Sequence, residues 1–527
     1  MPRSSCCAHI CVLAAALAAF AAFTAAAREP VRPFEMPASD TPSNGIDDMV
    51  GAALEARGLD PAYPASDEVF VRRAYLDILG VIPEWREVVR FVRSPDAGKR
   101  AQLIEELFER EEFADYWALR WGDLLRIKAE FPINLWPNAV QAYHHWVCTA
   151  MRENMRYDQF ARALLTSSGS NFRTPPVNFY RAVQERTPEG LAAAVALTFM
   201  GTRIDGWPEA RRAEMAQFFS RVAYKKTAEW KEEIVYLDPA HTEPFRGEFP
   251  DGTAVTVSPR KDPRRVFADW LVAPDNPWFA RNMANRVWAW FFGRGIVHEP
   301  DDLRPDNPAV LPELLDYLEA ELVQSGFDLR HLFRLILNSR TYQQSSIPMA
   351  EHPDAQKWFA CYPVRRLEAE VLADALSTVF GAPEAYSSRI PEPFTYVPEH
   401  HPTVALADGS ITSAFLEKFG RPARDTGLYS ERNNEFTDGQ RLHLINSSHV
   451  QNKIRNSWRL RLMLKRSGGD PHRAIDAFYL GILSRRATDA EAQAVITHAE
   501  SMELSTEEAG EDLAWALINT KEFLYRH

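Results

Sequence analysis

The sequence predicts a mainly α protein, with two helical domains, a small β-hairpin connector and long wrapping loops. Three observations point there. Apolar residues recur at helical spacing along most of the chain. Only residues 227–262 lean towards β structure, and no fixed-period repeat suggests a solenoid. About 500 residues remain after an N-terminal leader, more than one ordinary core holds.

The leader is residues 1–27. Arg3 is the only formal charge before Arg28, and Val12 to Ala27 is apolar and alanine-rich. Ala25 and Ala27 supply the small residues of a signal-peptidase site, with cleavage expected near Ala27–Arg28. At roughly 16 residues the run falls short of the ~20 a membrane span needs. An exported protein, periplasmic or extracellular, is expected, with no transmembrane span in the mature chain. Cys6, Cys7 and Cys11 leave with the leader. Cys148 and Cys361 remain, either as one disulfide or as two buried thiols.

Residues 28–64 are rich in Pro, Ser and Asp and read as an entry segment, with a short helix around Ile46 to Arg57. The first domain spans 65–226. VFVRRAYLDILG is a helix that Gly80 can cap, and the next begins with Pro83 at its first turn. Two more helices lie between Ser94 and Lys128, then one over AVQAYHHWVCTAMREN, then TPEGLAAAVALTFMG, which breaks at Gly201. The connector 227–262 holds a Pro-Asp-Gly turn and the β-leaning run TAVTV, hence a hairpin. The second domain, 263–527, carries helices over 264–273, 278–292, 311–325, 328–339 and 365–380. Irregular residues 381–440 follow, then helices at 439–463, 471–483, 488–502 and 508–524.

The net charge is −12; removing the leader leaves 59 basic and 72 acidic residues, net −13. That balance argues against nucleic acid as a partner. Arg outnumbers Lys about four to one, which favours rigid bidentate carboxylate pairs.

The richest stretch is 266–344. On the helix from Trp278 to Phe292, Met283, Val287, Trp290 and Phe291 form a buried stripe. Arg281, Asn282, Asn285 and Arg286 share a neighbouring side. They could present donors to an anionic or carbohydrate ligand. They could equally pair with Asp301, Asp302 or Asp306 and hold the following loop, HEPDDLRPDN, in place. With His298 and Glu299 that loop has oxygens enough for Ca²⁺ in principle, but its spacing matches no EF-hand and two prolines restrict wrapping, so no metal is expected. His443 and His449 lie near Asn446 and Asn452, as a site or as helix-capping polar residues. His144 and His145 are adjacent and face apart on a helix. Arg365, Arg366, Glu368 and Glu370 read as a salt-bridged helix start. Trp117, Trp121, Trp136, Trp207, Trp278 and Trp288 either line a sugar platform or fill the core. Nucleophile-elbow, Walker A, dinucleotide and zincin motifs are absent, so catalytic residues stay unassigned.

RRAYLDILGVIP, KRAQLIEELFEREEFADYWALRWGDLLRIK and MRENMRYDQFARALLTSSGSNF resemble the planctomycete cytochrome-associated domain of the second type. DPRRVFADWLVAPDNPWFARNMANRVWAWFFGRGIVHEPDDLRPDNP, VRRLEAEVLADAL and WALINTKEFLYRH resemble planctomycete-specific domain one. The resemblance covers nearly all of the mature chain. It implies an exported helical protein that often accompanies sulfatase-like and polysaccharide-degradation proteins, without an established biochemical role. Many relatives carry C-x-x-C-H after a segment like ALTFMGTRI, a motif that attaches c-type haem. Here FMGTRIDGWPEARRAEMAQFFSRV lacks both Cys and His, so no cofactor is predicted. The expectation is a binding or accessory protein in extracellular polysaccharide utilisation or at the cell surface. Its partners would be polysaccharide or exported proteins such as sulfatase-like ones. A hydrolase acting on an extracellular polymer is the alternative. An electron-transfer partner ranks third, because the haem motif is missing. Oligomeric state is open.

Overall fold

The computed structural model describes residues 28–241 and 243–527; the leader lies outside the described residues. Helices dominate it because their ends are written locally. Asn44, Thr488 and Ser505 close capping boxes on helices Gly45–Glu55, Asp489–Ser501 and Thr506–Ile518. Asp262 and Asp470 cap helices that begin with proline, Pro263–Leu271 and Pro471–Leu483. Gly201 and Gly381 end helical runs at φ +61 and +66. A Cβ at Gly201 would lie 2.3 Å from Asn282 Oδ1, and one at Gly381 2.3 Å from Trp458 Nε1. Each glycine therefore admits a neighbouring side chain against its backbone.

The class is mainly α with small strand pairs. The connector hairpin forms, with β4 (Phe245–Glu248) antiparallel to β5 (Ala254–Val257). A second sheet was not read from the sequence: β1 (Gly169–Ser170), β3 (Glu233–Leu237) and β2 (Val222–Lys226) pair in that order, antiparallel. A two-residue strand has no period to detect, and β2 ends in two exposed lysines.

Four expected helices differ. The helix expected over 508–524 is two, Thr506–Ile518 and Lys521–Leu524, because Thr520 caps a new start by accepting N–H from Phe523. The helix expected over 365–380 runs from Ala369 to Phe380, because Arg365 and Arg366 form β6 and pair with β7 (Tyr525–Arg526) at the chain end. The helix expected over 439–463 is three: Asp438–Asn446, Ser448–Arg455 and Trp458–Ser467. Ser447 and Ser457 break it by accepting N–H from Val450 and Leu460 and so starting new helices. Pro83 precedes its helix, Trp85–Arg93, whose N-cap is Glu84.

One hydrophobic core draws on both halves of the chain. Trp117 and Trp121, on helix Glu111–Leu124, are fully buried. They meet Trp290 of helix Phe279–Phe292 with ring centroids 5.4 and 5.9 Å away, and Trp117 lies 4.3 Å from Phe333. Cys148 and Cys361 are two buried thiols, the second of the alternatives the sequence left open. Among the described residues no helix is long and apolar enough to cross a membrane.

Candidate functional site

Helix Phe279–Phe292 sends its polar residues two ways. Arg281 turns outward to Asp316 at 2.5 Å and Glu319 at 2.9 Å on helix Pro312–Gln324. Asn282, Asn285 and Arg286 turn inward and are buried. Asn285 clamps one residue of the acidic loop: its Oδ1 accepts from Val297 N at 2.8 Å and its Nδ2 donates to Val297 O at 3.0 Å. Asn282 Nδ2 donates to Thr198 O at 3.2 Å. Arg286 Nη2 donates to Asp301 Oδ1 at 2.8 Å, and Tyr429 N donates to the other oxygen of Asp301 at 2.5 Å. Asp302 and Asp306 stay outside this group, 3.1 and 3.5 Å from Arg304. Four of the seven expected residues thus converge, as a brace joining the loop to residues 197–198 and to Tyr429.

Beside the brace lies a cavity of about 50 Å³, lined by Arg120, Asp123, Arg286, Trp290, Tyr429 and Arg432. Around it runs an ion-pair network that sequence reasoning missed. Arg432 bonds Asp123 and Glu370, each at 2.7 Å. Arg424 bonds Asp123 at 2.9 Å, and Arg120 and Arg526 bond Glu368. Burial pushes the Glu368 carboxyl up, but Arg120, Arg526, Arg365 and Arg432 outweigh it and hold it well below the usual range. Burial likewise opposes Arg432 and Arg421 at Glu370, whose pKa settles at about 2. Carboxylates held ionised this firmly cannot act as general acids at neutral pH.

The histidines separate similarly. His144 is buried and His145 exposed. His144 and Cys148 line a cavity of about 410 Å³ with Asp115 and His401. Cys148 Sγ lies 3.5 and 3.8 Å from the two nitrogens of His144, so neither is aimed at the sulfur. Burial, reinforced by Asp115, pushes the Cys148 thiol up to about 12; burial, with Arg424 and His401, lowers His144 to about 3. This is a neutral pair and not a thiolate nucleophile. His449 bonds Glu384 at 2.8 Å, with His443 3.5 Å from its other nitrogen.

Tryptophan sorts by location. Trp117, Trp121 and Trp288 are core. Trp136 instead joins Trp230 and Phe394 at the surface, with centroids 4.7 Å apart for Trp136–Trp230 and 4.8 Å for Trp230–Phe394. Trp230 is 53% exposed, and Phe131, on the segment of Trp136, and Tyr396, on that of Phe394, are exposed as well. Trp136 sits at φ +73, where a bulky residue costs about 1–3 kcal/mol. Lys231 Nζ lies 4.9 Å from its ring centroid. Three separated segments thus bring together one aromatic cluster open to solvent, its rings meeting edge to face at interplanar angles of 60 to 75°. Trp230 and Phe394 lie in loops without periodicity, so only their aromatic character in a polar setting could have flagged them.

Residues 45–223 match the family model PSCyt2, protein of unknown function (DUF1549). Residues 263–499 match PSD1, protein of unknown function (DUF1553). No curated protein and no solved structure matches the chain.

Proposed function

The chain belongs to the proteins that pair a PSCyt2 domain with a PSD1 domain, and on that premise we propose that it is an exported, polysaccharide-binding accessory protein. The observation that carries this reading is the exposed cluster of Trp136, Trp230 and Phe394. Clustered surface aromatics are uncommon without a ligand, and rigid rings offer flat apolar area to the C–H faces of sugar rings at little entropic cost. The interior guanidiniums contribute differently. Arg120 pairs with Glu368 and Arg432 with Asp123, and these ion pairs hold the two halves of the chain together.

Titration calorimetry of the mature chain against soluble neutral and sulfated polysaccharides tests the reading. Wild type gives saturable heat with at least one neutral polymer, and Trp230→Ala weakens it about tenfold without moving the melting temperature. Absence of saturable heat across the panel, or a Trp230→Ala variant that binds like wild type, sinks it.

A second reading, hydrolysis of the bound polymer, is favoured by the cavity of about 410 Å³ that shares Tyr396 with the aromatic loops. Burial raises the pKa of Asp115 in that cavity, as a general acid requires. Release of reducing ends by wild type, abolished in Asp115→Asn, separates this reading from binding alone.

A further inference from the structure

We infer that the groove between the start of helix Trp85–Arg93 and helix Trp458–Ser467 is a second binding site, and that its ligand is a sulfated polysaccharide. The inference rests on the polymer-binding reading for the sugar backbone of the ligand; the anionic group follows from the groove itself. The groove encloses about 380 Å³, and its wall includes Trp85, Arg86, Trp458, Arg459 and Arg466, with Glu84 as its one acidic residue.

Charge is the first argument. In a chain of net charge −12, helix Trp458–Ser467 carries Arg459, Arg461, Lys465 and Arg466 and no acidic residue. Arg461, Lys465, Arg466 and the preceding Arg455 are exposed. Arg459 bonds Glu84 at 2.8 Å, while Arg461 donates only to backbone oxygens of Arg455 and Asn456. Arg459 and Arg466 are seven residues apart, roughly 10 Å along the helix. Arg459 is held by Glu84 and Thr378 O, so the cations the groove offers a ligand are Arg86 and Arg466, one on each wall. Guanidinium groups suit sulfate because their paired N–H donors match two oxygens at once.

Shape is the second argument. Trp458 is 54% exposed, yet its ring is fixed: Nε1 donates to Gly381 O at 3.0 Å, against a glycine where any Cβ would collide. Trp85 is exposed on the opposite wall. Two tryptophans facing a concave slot accept a single extended chain between cationic edges. A flat bilayer surface cannot enter such a slot.

Titration of the full mature chain with dextran sulfate and with uncharged dextran, in wild type, Arg466→Glu, Trp458→Ala and Trp230→Ala, tests the assignment. Dextran sulfate binds wild type, and Arg466→Glu and Trp458→Ala each weaken it about tenfold while Trp230→Ala leaves it unchanged. Arg466 is a solvent-facing side chain, so its reversal keeps the test valid if Trp458→Ala loses stability. Dextran sulfate binding that is indifferent to both groove variants overturns the inference. So does polyphosphate or single-stranded DNA binding as tightly with Trp458→Ala silent, because that is ion exchange at a basic helix. Loss of neutral-polymer binding alone sinks the aromatic-cluster reading and leaves the groove standing. Silence of the groove with neutral binding intact does the reverse.

Discussion

Two of the places where arginine stands beside tryptophan in this molecule have opposite consequences. At the centre, Arg120, Arg286 and Arg432 surround Trp290, and every guanidinium ends on a buried carboxylate. At the surface, Arg86, Arg459 and Arg466 flank Trp85 and Trp458, and among the described residues only Arg459 of these has a carboxylate, Glu84. The first arrangement commits all three arginines to ion pairs within the fold, and the second leaves Arg86 and Arg466 without a carboxylate among the described residues. Residue type alone therefore does not mark a site. The number of donors left unpaired, and whether water reaches them, does.

The sharpest way to break this contrast is at Arg286. Its removal leaves Asp301, itself buried, with only the Tyr429 N–H. Arg286→Ala is expected to cost about 3–5 kcal/mol of unfolding free energy, read by urea denaturation. Stability within 1 kcal/mol of wild type would mean that the centre is not closed and that Arg286 is free to serve a ligand.

Next in size is the acid response of the centre. Glu370 has its folded pKa lowered from 4.5 to about 2, against burial, by Arg432 and Arg421. A depressed carboxylate stabilises the fold fully above its unfolded pKa and loses that contribution as pH falls through the folded one. The contribution is on the order of 3 kcal/mol, and it fades as pH drops from 4.5 towards 2. Wild type and Glu370→Gln should therefore differ most at neutral pH and converge in acid. A gap in unfolding free energy that stays constant between pH 7 and pH 3 would contradict the network.

How much of this was readable beforehand follows from range. Helix class and ends were legible because capping residues such as Thr488 and Ser505, and apolar stripes such as Met283–Val287–Trp290, act within a turn or two. Arg286 with Asp301 was in reach because only fifteen residues separate them. Arg120 with Glu368 and Arg432 with Asp123 were not, at separations of 248 and 309 residues, since nothing in spacing encodes such pairings. The run Arg365–Glu368 is expected as a salt-bridged helix start, but Arg365 and Glu368 pair with Asp77 and Arg120 on other elements, Arg366 donates to backbone oxygens, and residues 365–366 form a strand with Tyr525–Arg526. Sorting tryptophans was half possible. Trp117 and Trp121 sit among apolar neighbours and are core, whereas Trp136, for which core is the favoured expectation in a helical protein, joins the surface cluster. For Trp458 a signal was present and unused: ten helical residues without one acid, in an acidic chain.

The smallest effect sharpens the contrast most finely, because Arg281 shares a helix with Arg286 and belongs to neither region. Its side chain keeps 29% exposure while bonding Asp316 and Glu319. Water screens that pair, and the two acids can rehydrate when the arginine goes, so Arg281→Ala should cost less than about 1 kcal/mol. Raising salt from 0.05 to 0.5 M should shrink even that, as the screening length falls below about 5 Å. The same salt step should leave the cost of Arg286→Ala nearly unchanged, because Arg286 and Asp301 are sealed from the solution. If both costs fell together, burial would not be what distinguishes the two arginines, and the separation between a structural centre and a binding surface would fail with it.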